Sequence, residues 1–163
     1  MNLVDKVRDI LSQLIDVKTV IYDSAWSANV RVDRKPAPYA ILYLLSDWTI
    51  DVSKGNAKEG AELQIFFCDR AKFDATGEEK DVVVKQMEEI AKQFLYAVLH
   101  DRTITVVDDT VKMKSSYGQF DAFVVGVSVV LRIEEKQGSC LPEPSIPTPE
   151  PESEDGNDDQ NEL

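Results

Sequence analysis

The stretch Thr76–His100, TGEEKDVVVKQMEEIAKQFLYAVLH, decides the fold because it predicts one long amphipathic helix. Apolar residues recur along one side at helical spacing, namely Val83, Met87, Ile90, Ala91, Phe94 and Val98. Charged residues take the other side, namely Lys85, Glu88, Glu89 and Lys92. Thr76, followed three residues later by Glu79, predicts a capping box. Such a helix is about 35 Å long at 1.5 Å per residue, and the remaining apolar segments predict strands that pack on it.

Upstream of this helix the chain predicts a first helix, a short strand and a polar segment. Residues 2–15 carry one apolar stripe at helical spacing, and Val17–Tyr22 is rich in β-branched residues, which favour a strand. The polar segment 24–35, which contains Trp26, predicts a loop or a mobile arm. Residues 36–38, Pro-Ala-Pro, then require extended backbone.

A long β-hairpin follows. Tyr39–Val52 alternates with period two and begins with both faces apolar, which predicts a strand that is central in its sheet at that end. Trp48 lies near its far end. Residues 53–60 predict the turn of the hairpin, and Ala61–Asp69 predicts the returning strand.

After the central helix the sequence predicts two or three antiparallel strands. Thr103–Val107 is the first, Asp108 and Asp109 indicate a turn, and residues 111–113 predict a short strand that pairs back. Residues 115–118 interrupt the pattern. Phe120–Glu135 is the clearest strand, since one of its faces is apolar without a break, and that face is expected to lie on the central helix.

The opposite face of this last strand is small and semi-polar. It is too apolar for plain solvent at Val124 and Val130, yet too polar for a deep core. A partner subunit would suit this face, and so would a fold-back of the long hairpin. Both explanations stay open at this point.

Together these elements predict an α+β fold, an antiparallel sheet with a long β-hairpin packed on one main helix plus an N-terminal helix. Residues 1–140 are expected to form a single domain. From Leu141 onward the chain holds five of its seven prolines and eight acidic residues without a basic one. That composition predicts a disordered acidic C-terminal tail, residues 141–163.

Charge and composition argue against several classes of partner and environment. The net charge is −12, of which the tail supplies −8, so −4 remains for residues 1–140. This acidic surplus and the lack of a basic stripe argue against direct binding of nucleic acid. No apolar run reaches the ~18 residues of a membrane span, and residues 1–5 lack the character of a signal peptide. Two cysteines indicate a reducing compartment, with a Cys68–Cys140 bond as the open alternative.

No residue pattern predicts a catalytic, cofactor-binding or metal site, so we expect a protein that is not an enzyme. His100, the only histidine, ends the central helix, where a cation complements the helix dipole. Cys68 follows an apolar run, and we expect it to be a small residue within a strand. Asp69 and Asp74 flank a loop but lack the ligand spacing of a calcium site.

The order of elements resembles the tail terminator, or tail-completion, proteins of long-tailed bacteriophages and prophages. The resemblance covers about residues 1–136. It lies in the first helix and strand, in PAPYAILYL (36–44) leading into the hairpin, in ELQIFF (62–67), in the helix Asp81–His100 and in the closing strand VGVSVVLRI (125–133).

The resemblance implies a structural role. Such proteins form a ring, commonly a hexamer, that caps the finished tail tube and offers a surface to the head connector, and they have no active site. The expected partners are therefore other copies of the chain, the tail tube protein and head–tail connector proteins. The expected location is the virion tail or neck, assembled in the cytoplasm of the bacterial host. The hairpin from Trp48 to Ala61 would project as an arm, and Trp26, Trp48, Val124 and Val130 are the expected interface residues.

Other functions stay open beside this one. The chain could be a monomeric binding or regulatory module whose acidic tail engages a basic partner. It could also be a head-completion or neck protein of the same ring-forming kind. An enzyme that uses His100, Cys68 or an acidic pair ranks last, because a lone histidine has no cluster of partner groups.

Overall fold

The computed structural model describes residues 3–23, 28, 32, 34–45, 49–52, 57–119 and 123–138. Five features of the sequence prediction lie outside these residues, namely Trp26, Trp48, residues 53–56 of the hairpin turn, Cys140 of the alternative disulfide and the acidic tail 141–163.

The described part of the chain forms two helices and seven strands, and the α+β fold predicted from the sequence is confirmed. In chain order the elements are α1 (Leu3–Gln13), β1 (Thr19–Tyr22), β2 (Tyr39–Leu44), β3 (Thr49–Asp51), β4 (Lys58–Arg70), α2 (Gly77–His100), β5 (Ile104–Val106), β6 (Lys112–Gln119) and β7 (Val124–Glu135).

The strands form one sheet with the order β1-β2-β4-β7-β5. Gly60 of β4 pairs with Thr49 of β3 and with Glu134 of β7, so β3 continues the line of β2. In the same way β6 continues the line of β5 along β7. The described sheet is therefore five strands wide, with β1 at one edge and β5 and β6 at the other.

One pairing differs from the predicted antiparallel sheet, because β1 runs parallel to β2. Every other described pair is antiparallel. A parallel pair needs a crossover connection of a dozen or more residues, and residues 23–38 supply that length. The period-two pattern of a short strand does not specify its direction, so the sequence offered no signal for this pairing.

The core lies between the sheet and the two helices. The side of α2 that faces the sheet contributes Val84, Met87, Ile90, Ala91, Phe94 and Val98. Val84 is the buried valine of the first turns, whereas Val83, assigned to this side from the sequence, is only partly buried. The rings of Phe67 and Phe94 lie 5.7 Å apart at the centre of the layer. The uninterrupted apolar face of β7 contacts this core, as predicted.

The start of α2 carries the predicted capping box. The amide of Glu79 donates to the Thr76 hydroxyl at 3.3 Å, and the amide of Thr76 donates to the Glu79 carboxylate at 2.8 Å. Two of the amides that a helix leaves without partners are thus satisfied, which fixes where α2 begins.

Three predicted strand boundaries are wrong. Residues 58–60, assigned to the hairpin turn, belong to β4, which is Lys58–Arg70. The predicted strand Tyr39–Val52 is divided, since Leu44 pairs with Leu63 while Thr49 pairs with Gly60, five steps on one side against three on the other. The predicted break at residues 115–118 lies within β6. The described side chains of β6 are exposed or half-buried, and a strand without a buried face has no apolar alternation to reveal it.

Gly126 of β7 lies close to the backbone of β4 and has less room for a side chain than Gly60, Gly77 or Gly118. A Cβ atom at this position would lie 1.9 Å from the carbonyl oxygen of Phe67 and 2.7 Å from the Cα atom of Cys68. Both obstacles are backbone atoms of a central strand, so neither can move without displacing the sheet. Only glycine fits this position without strain.

We expect Gly126→Ala to lower the free energy of unfolding by about 3 kcal/mol, the upper end of the usual cost of overpacking, because the new methyl group meets backbone atoms. Gly77→Ala is the matched control, since a Cβ atom there has nothing within 4 Å. The control should change stability by less than about 1 kcal/mol. Urea unfolding followed by circular dichroism measures both variants, and equal midpoints would contradict the assigned packing.

An ion pair joins α1 to the end of the sheet. Lys6 Nζ donates to Glu135 Oε1 at 2.7 Å, and the Glu59 amide donates to Glu135 Oε2 at 3.3 Å. Burial of the Glu135 carboxyl acts to raise its pKa, but these hydrogen bonds and the charge of Lys6 outweigh burial and hold the pKa below its ordinary value. The ionised form therefore stabilises the folded chain.

The stabilisation by Glu135 is expected above its unfolded pKa, near 4.3, and is lost as the pH falls through the lower folded pKa. Glu135→Gln should lower the free energy of unfolding by about 1–3 kcal/mol at pH 7, the range for hydrogen bonds to charged groups, and by less at pH 3. Glu134→Gln, an exposed position on the same strand, is the control. Urea unfolding at both pH values tests this, and a difference that persists unchanged at pH 3 would contradict it.

Candidate interaction surfaces

The face of the sheet that points away from α2, here called the second face, is covered in part. It carries a separate apolar cluster formed by Ile21, Ala28, Val32, Tyr39, Ile41, Phe66, Cys68 and Val124. Ala28 and Val32 belong to the crossover between β1 and β2, and both are fully buried. The predicted loop or arm at residues 24–35 is thus, at these two described residues, a cover for the sheet.

Val124 lies beneath this cover. Its side chain is 0% exposed, so the prediction that it stands on an open face for a partner subunit is wrong. The physical reason is that the crossover supplies Ala28 and Val32 from within the chain. From the sequence, the expected intramolecular cover was a fold-back of the long hairpin, and the crossover was not predicted to take this place.

Tyr39 and Arg70 hold the crossover in place. The Tyr39 hydroxyl lies 2.8 Å from the carbonyl oxygen of Val32 and 2.7 Å from that of Lys35, and it shares its proton between them. Arg70 Nη2 donates to the same two oxygens, at 2.7 and 3.2 Å. Burial, partly offset by Arg70, raises the pKa of Tyr39, so this hydroxyl stays protonated as a donor.

The rest of the second face, around Val130, is less deeply buried, and Val130 itself is half-buried. Val130 pairs with Gln64 of β4 and with Lys112 of β6. Gln64 Nε2 donates to Ser128 Oγ at 2.6 Å, which joins β4 to β7 on this face. This mixed strip matches the sequence description of the face, and a role for Val130 at an interface stays a prediction.

The two edges of the sheet differ in length and chemistry. Within the described residues β1 pairs with β2 alone, and β6 pairs with β7 alone. The β6 edge runs over eight residues, KMKSSYGQ, whereas β1 has four, TVIY. Each edge strand leaves alternate backbone N–H and C=O groups pointing outward, which makes both edges templates for further strands.

The far end of the β-hairpin is exposed on both sides. All three residues of β3 are exposed. Leu45, Ile50 and Val52 expose 47%, 51% and 62% of their surface, so this end carries apolar area that the described chain does not cover. Apolar area of this kind is typical of contact surfaces.

The residues weighed for chemistry do not converge. His100 stacks on Tyr96 at the exposed end of α2, with Nδ1 2.8 Å from the Tyr96 carbonyl oxygen. Cys68 is a buried free thiol whose pKa is raised by burial and then by Asp69, which makes it a poor nucleophile. Among the described residues, no group of three or more His, Cys, Asp or Glu side chains could hold a metal ion.

A groove of about 430 Å³ lies between α2 and the strand ends near Pro38. Met87 and Ile90 form its apolar floor, and the carboxylates of Asp16 and Asp69 lie on its rim. Its described lining contains no histidine, cysteine, serine or threonine. The groove therefore offers an apolar contact surface with an acidic border.

Comparison of the chain with protein-family models and with curated proteins gave no match. Neither described helix combines the length and apolar character that crossing a membrane requires.

We expect Tyr39→Phe to lower the free energy of unfolding by about 1 kcal/mol, because it removes one of the two donors that hold the Val32 and Lys35 carbonyl oxygens. Limited proteolysis should also cut the 24–36 segment faster in this variant. Tyr22→Phe is the matched control, since the Tyr22 ring contacts Arg8 and its hydroxyl has no described hydrogen-bond partner. Equal proteolysis of the two variants would argue against the clamp.

Proposed function

We propose that this chain is a non-enzymatic structural protein that assembles head to tail into a ring, as a component of a bacteriophage or prophage tail of the tail-terminator kind. The observation that carries the proposal is the sheet with two dissimilar edges, β1 on one side and β6 on the other, which pair with no further strand among the described residues.

Two dissimilar edges favour a ring over a two-fold dimer. A two-fold contact buries the same patch on both subunits, whereas a head-to-tail contact joins two different patches and closes into a ring when the rotation permits. The β1 and β6 edges lie at opposite ends of a sheet that is five strands wide. One subunit can therefore contact a neighbour on each side at the same time.

Surfaces beyond the edges suit contacts along the axis of a tail. The hairpin does not project as an arm at its described residues, because Gly60 pairs with Glu134 of β7 and Ala57 and Ala61 are buried. The exposed strand β3, with Ile50 in it and Val52 next to it, offers apolar surface that would contact the tail tube protein or a head–tail connector protein. The strip around Val130 is a second candidate for subunit contact. In this role the chain would be part of the virion tail or neck, assembled in the host cytoplasm.

The solution mass of the protein across a concentration range tests the proposal. Light scattering coupled to size exclusion should show a ring-sized species, or one that appears as the concentration rises. Met113→Glu places a carboxylate on the exposed edge of β6 and should lower the fraction of that species at least tenfold, since charge is how proteins blunt edge strands. Leu99→Glu, an exposed apolar position on α2, is the control and should leave assembly unchanged.

Two outcomes would contradict the proposal. One is a folded 18.3 kDa monomer at every concentration that also fails to bind purified tail tubes, which would favour a monomeric binding module. The other is equal loss of assembly in both variants, which would move the contact away from the β6 edge. Binding to capsids in preference to tail tubes would favour the head-completion or neck alternative.

A further inference from the structure

Positive charge is concentrated along the edge formed by β5 and β6. Four exposed cationic residues lie there, here called the cationic edge: Arg102, Lys112, Lys114 and Lys136. Lys112 and Lys114 belong to β6, where they pair with Val130 and Ser128 of β7. Arg102 precedes β5, and Lys136 is tied to the same end by a 2.9 Å bond from its amide to the Thr103 carbonyl oxygen.

The described acids near this edge offset part of its charge. Hydrogen bonds from Arg132, helped by the charge of Lys112, lower the pKa of Asp108. Burial acts to raise the pKa of Asp101, but hydrogen bonds from Thr103, helped by the charge of Lys136, lower it. Lys136 Nζ also donates to the Asp101 carbonyl oxygen at 2.6 Å. Asp108 accepts two hydrogen bonds from the Arg132 guanidinium, at 3.0 and 2.6 Å. Asp101 accepts from the amides of Thr103 and Ile104. Asp109 and Glu134 are the further exposed acids nearby. None of the four cations forms an ion pair with a described carboxylate within 4.0 Å.

We infer that the acidic segment 141–163 of the same chain docks on the cationic edge. The segment carries eight carboxylates and no basic residue, which complements the four cations of the edge. Residues 1–140 have a net charge of −4, so surfaces that attract a polyanion are scarce on this chain.

The starting point and length of the segment permit this contact. The described chain ends at Gly138, three residues beyond β7, next to the end that holds Arg102 and Lys136. Lys112 is opposite Val130, which precedes Gly138 by eight residues, a distance of at most about 27 Å at 3.4 Å per residue. The ten residues 142–151 alone span about 31 Å in the polyproline conformation. Seven of the eight carboxylates, from Glu150 to Glu162, can therefore reach β6.

Docking here would cover the unpaired edge of β6. The segment would then compete with a neighbouring subunit for the same strand, so that assembly requires its displacement. This regulatory consequence rests on the proposed function, whereas the docking itself does not.

Zero-length carbodiimide coupling tests the docking on the full chain, since it joins a lysine amine only to a carboxylate in contact with it. Coupling should link residues 150–162 to Lys112 and Lys114 at least tenfold more than to Lys72 and Lys85, exposed lysines on other surfaces. The preference should disappear in about 1 M salt, where the Debye length is about 3 Å. A mixture of ¹⁴N and ¹⁵N protein assigns each link to one chain or to two.

Hydrogen exchange of charge-reversal variants tests the docking without cross-linking. Full-length protein with Lys112→Glu and Lys114→Glu should exchange the β6 amides at least threefold faster than the wild type in the monomer, and Lys72→Glu with Lys85→Glu should not. Uniform coupling to all four lysines, links found only between chains, or unchanged exchange would overturn the inference. A ring that forms without these links would overturn the docking and leave the proposed function intact.

Discussion

The antiparallel ladder between β4 and β7 is the constraint on which the rest of the structure depends. It runs from Gly60 opposite Glu134 to Arg70 opposite Val124 and brings together two strands that are far apart in the sequence. The close approach at Gly126 holds the backbones of the two strands in one register. A one-residue slip would move every side chain of β7 to the other face, so this single register decides which residues meet α2.

The ladder presents two faces that the chain covers in different ways. The helix side is buried along its length by α1 and α2, and Lys6 joins the first helix to the sheet through Glu135. At the described residues, the second face is buried where the crossover between β1 and β2 covers it. Hydrogen bonds from Tyr39 and Arg70 hold this crossover in place. The part around Val130 is left to semi-polar side chains. The candidate interaction surfaces are thus described areas that neither the helices nor the crossover cover.

The sequence predicts an element correctly where its buried residues recur at the spacing of a helix or a strand. The spacing of α2, its Thr76–Glu79 cap and the apolar face of β7 are all present in the structure, because each is a local pattern. The prediction fails where the deciding contact is distant. The burial of Val124 depends on Ala28 and Val32, about a hundred residues away, and β6 has no apolar face that would mark it. The β6 edge was therefore not predicted from the sequence. The expectation that the chain is not an enzyme stays a prediction, because the fold does not test it.

In the proposed ring, the chemistry of the two edges favours contact between unlike edges over contact between like edges. Two β6 edges brought together would oppose Lys112 and Lys114 of one copy to the same lysines of the other, and like charges across strands are destabilising. The β1 strand carries no charge of its own, and its flanks hold one cation, Lys18, and two acids, Asp16 and Asp23. A β6 edge therefore meets less repulsion from β1 than from its own copy. The lysines that would disfavour a symmetric dimer are also those that the acidic segment would contact in the proposed docking. The same two charges would thus oppose a second β6 edge and favour either a β1 edge or the acidic segment.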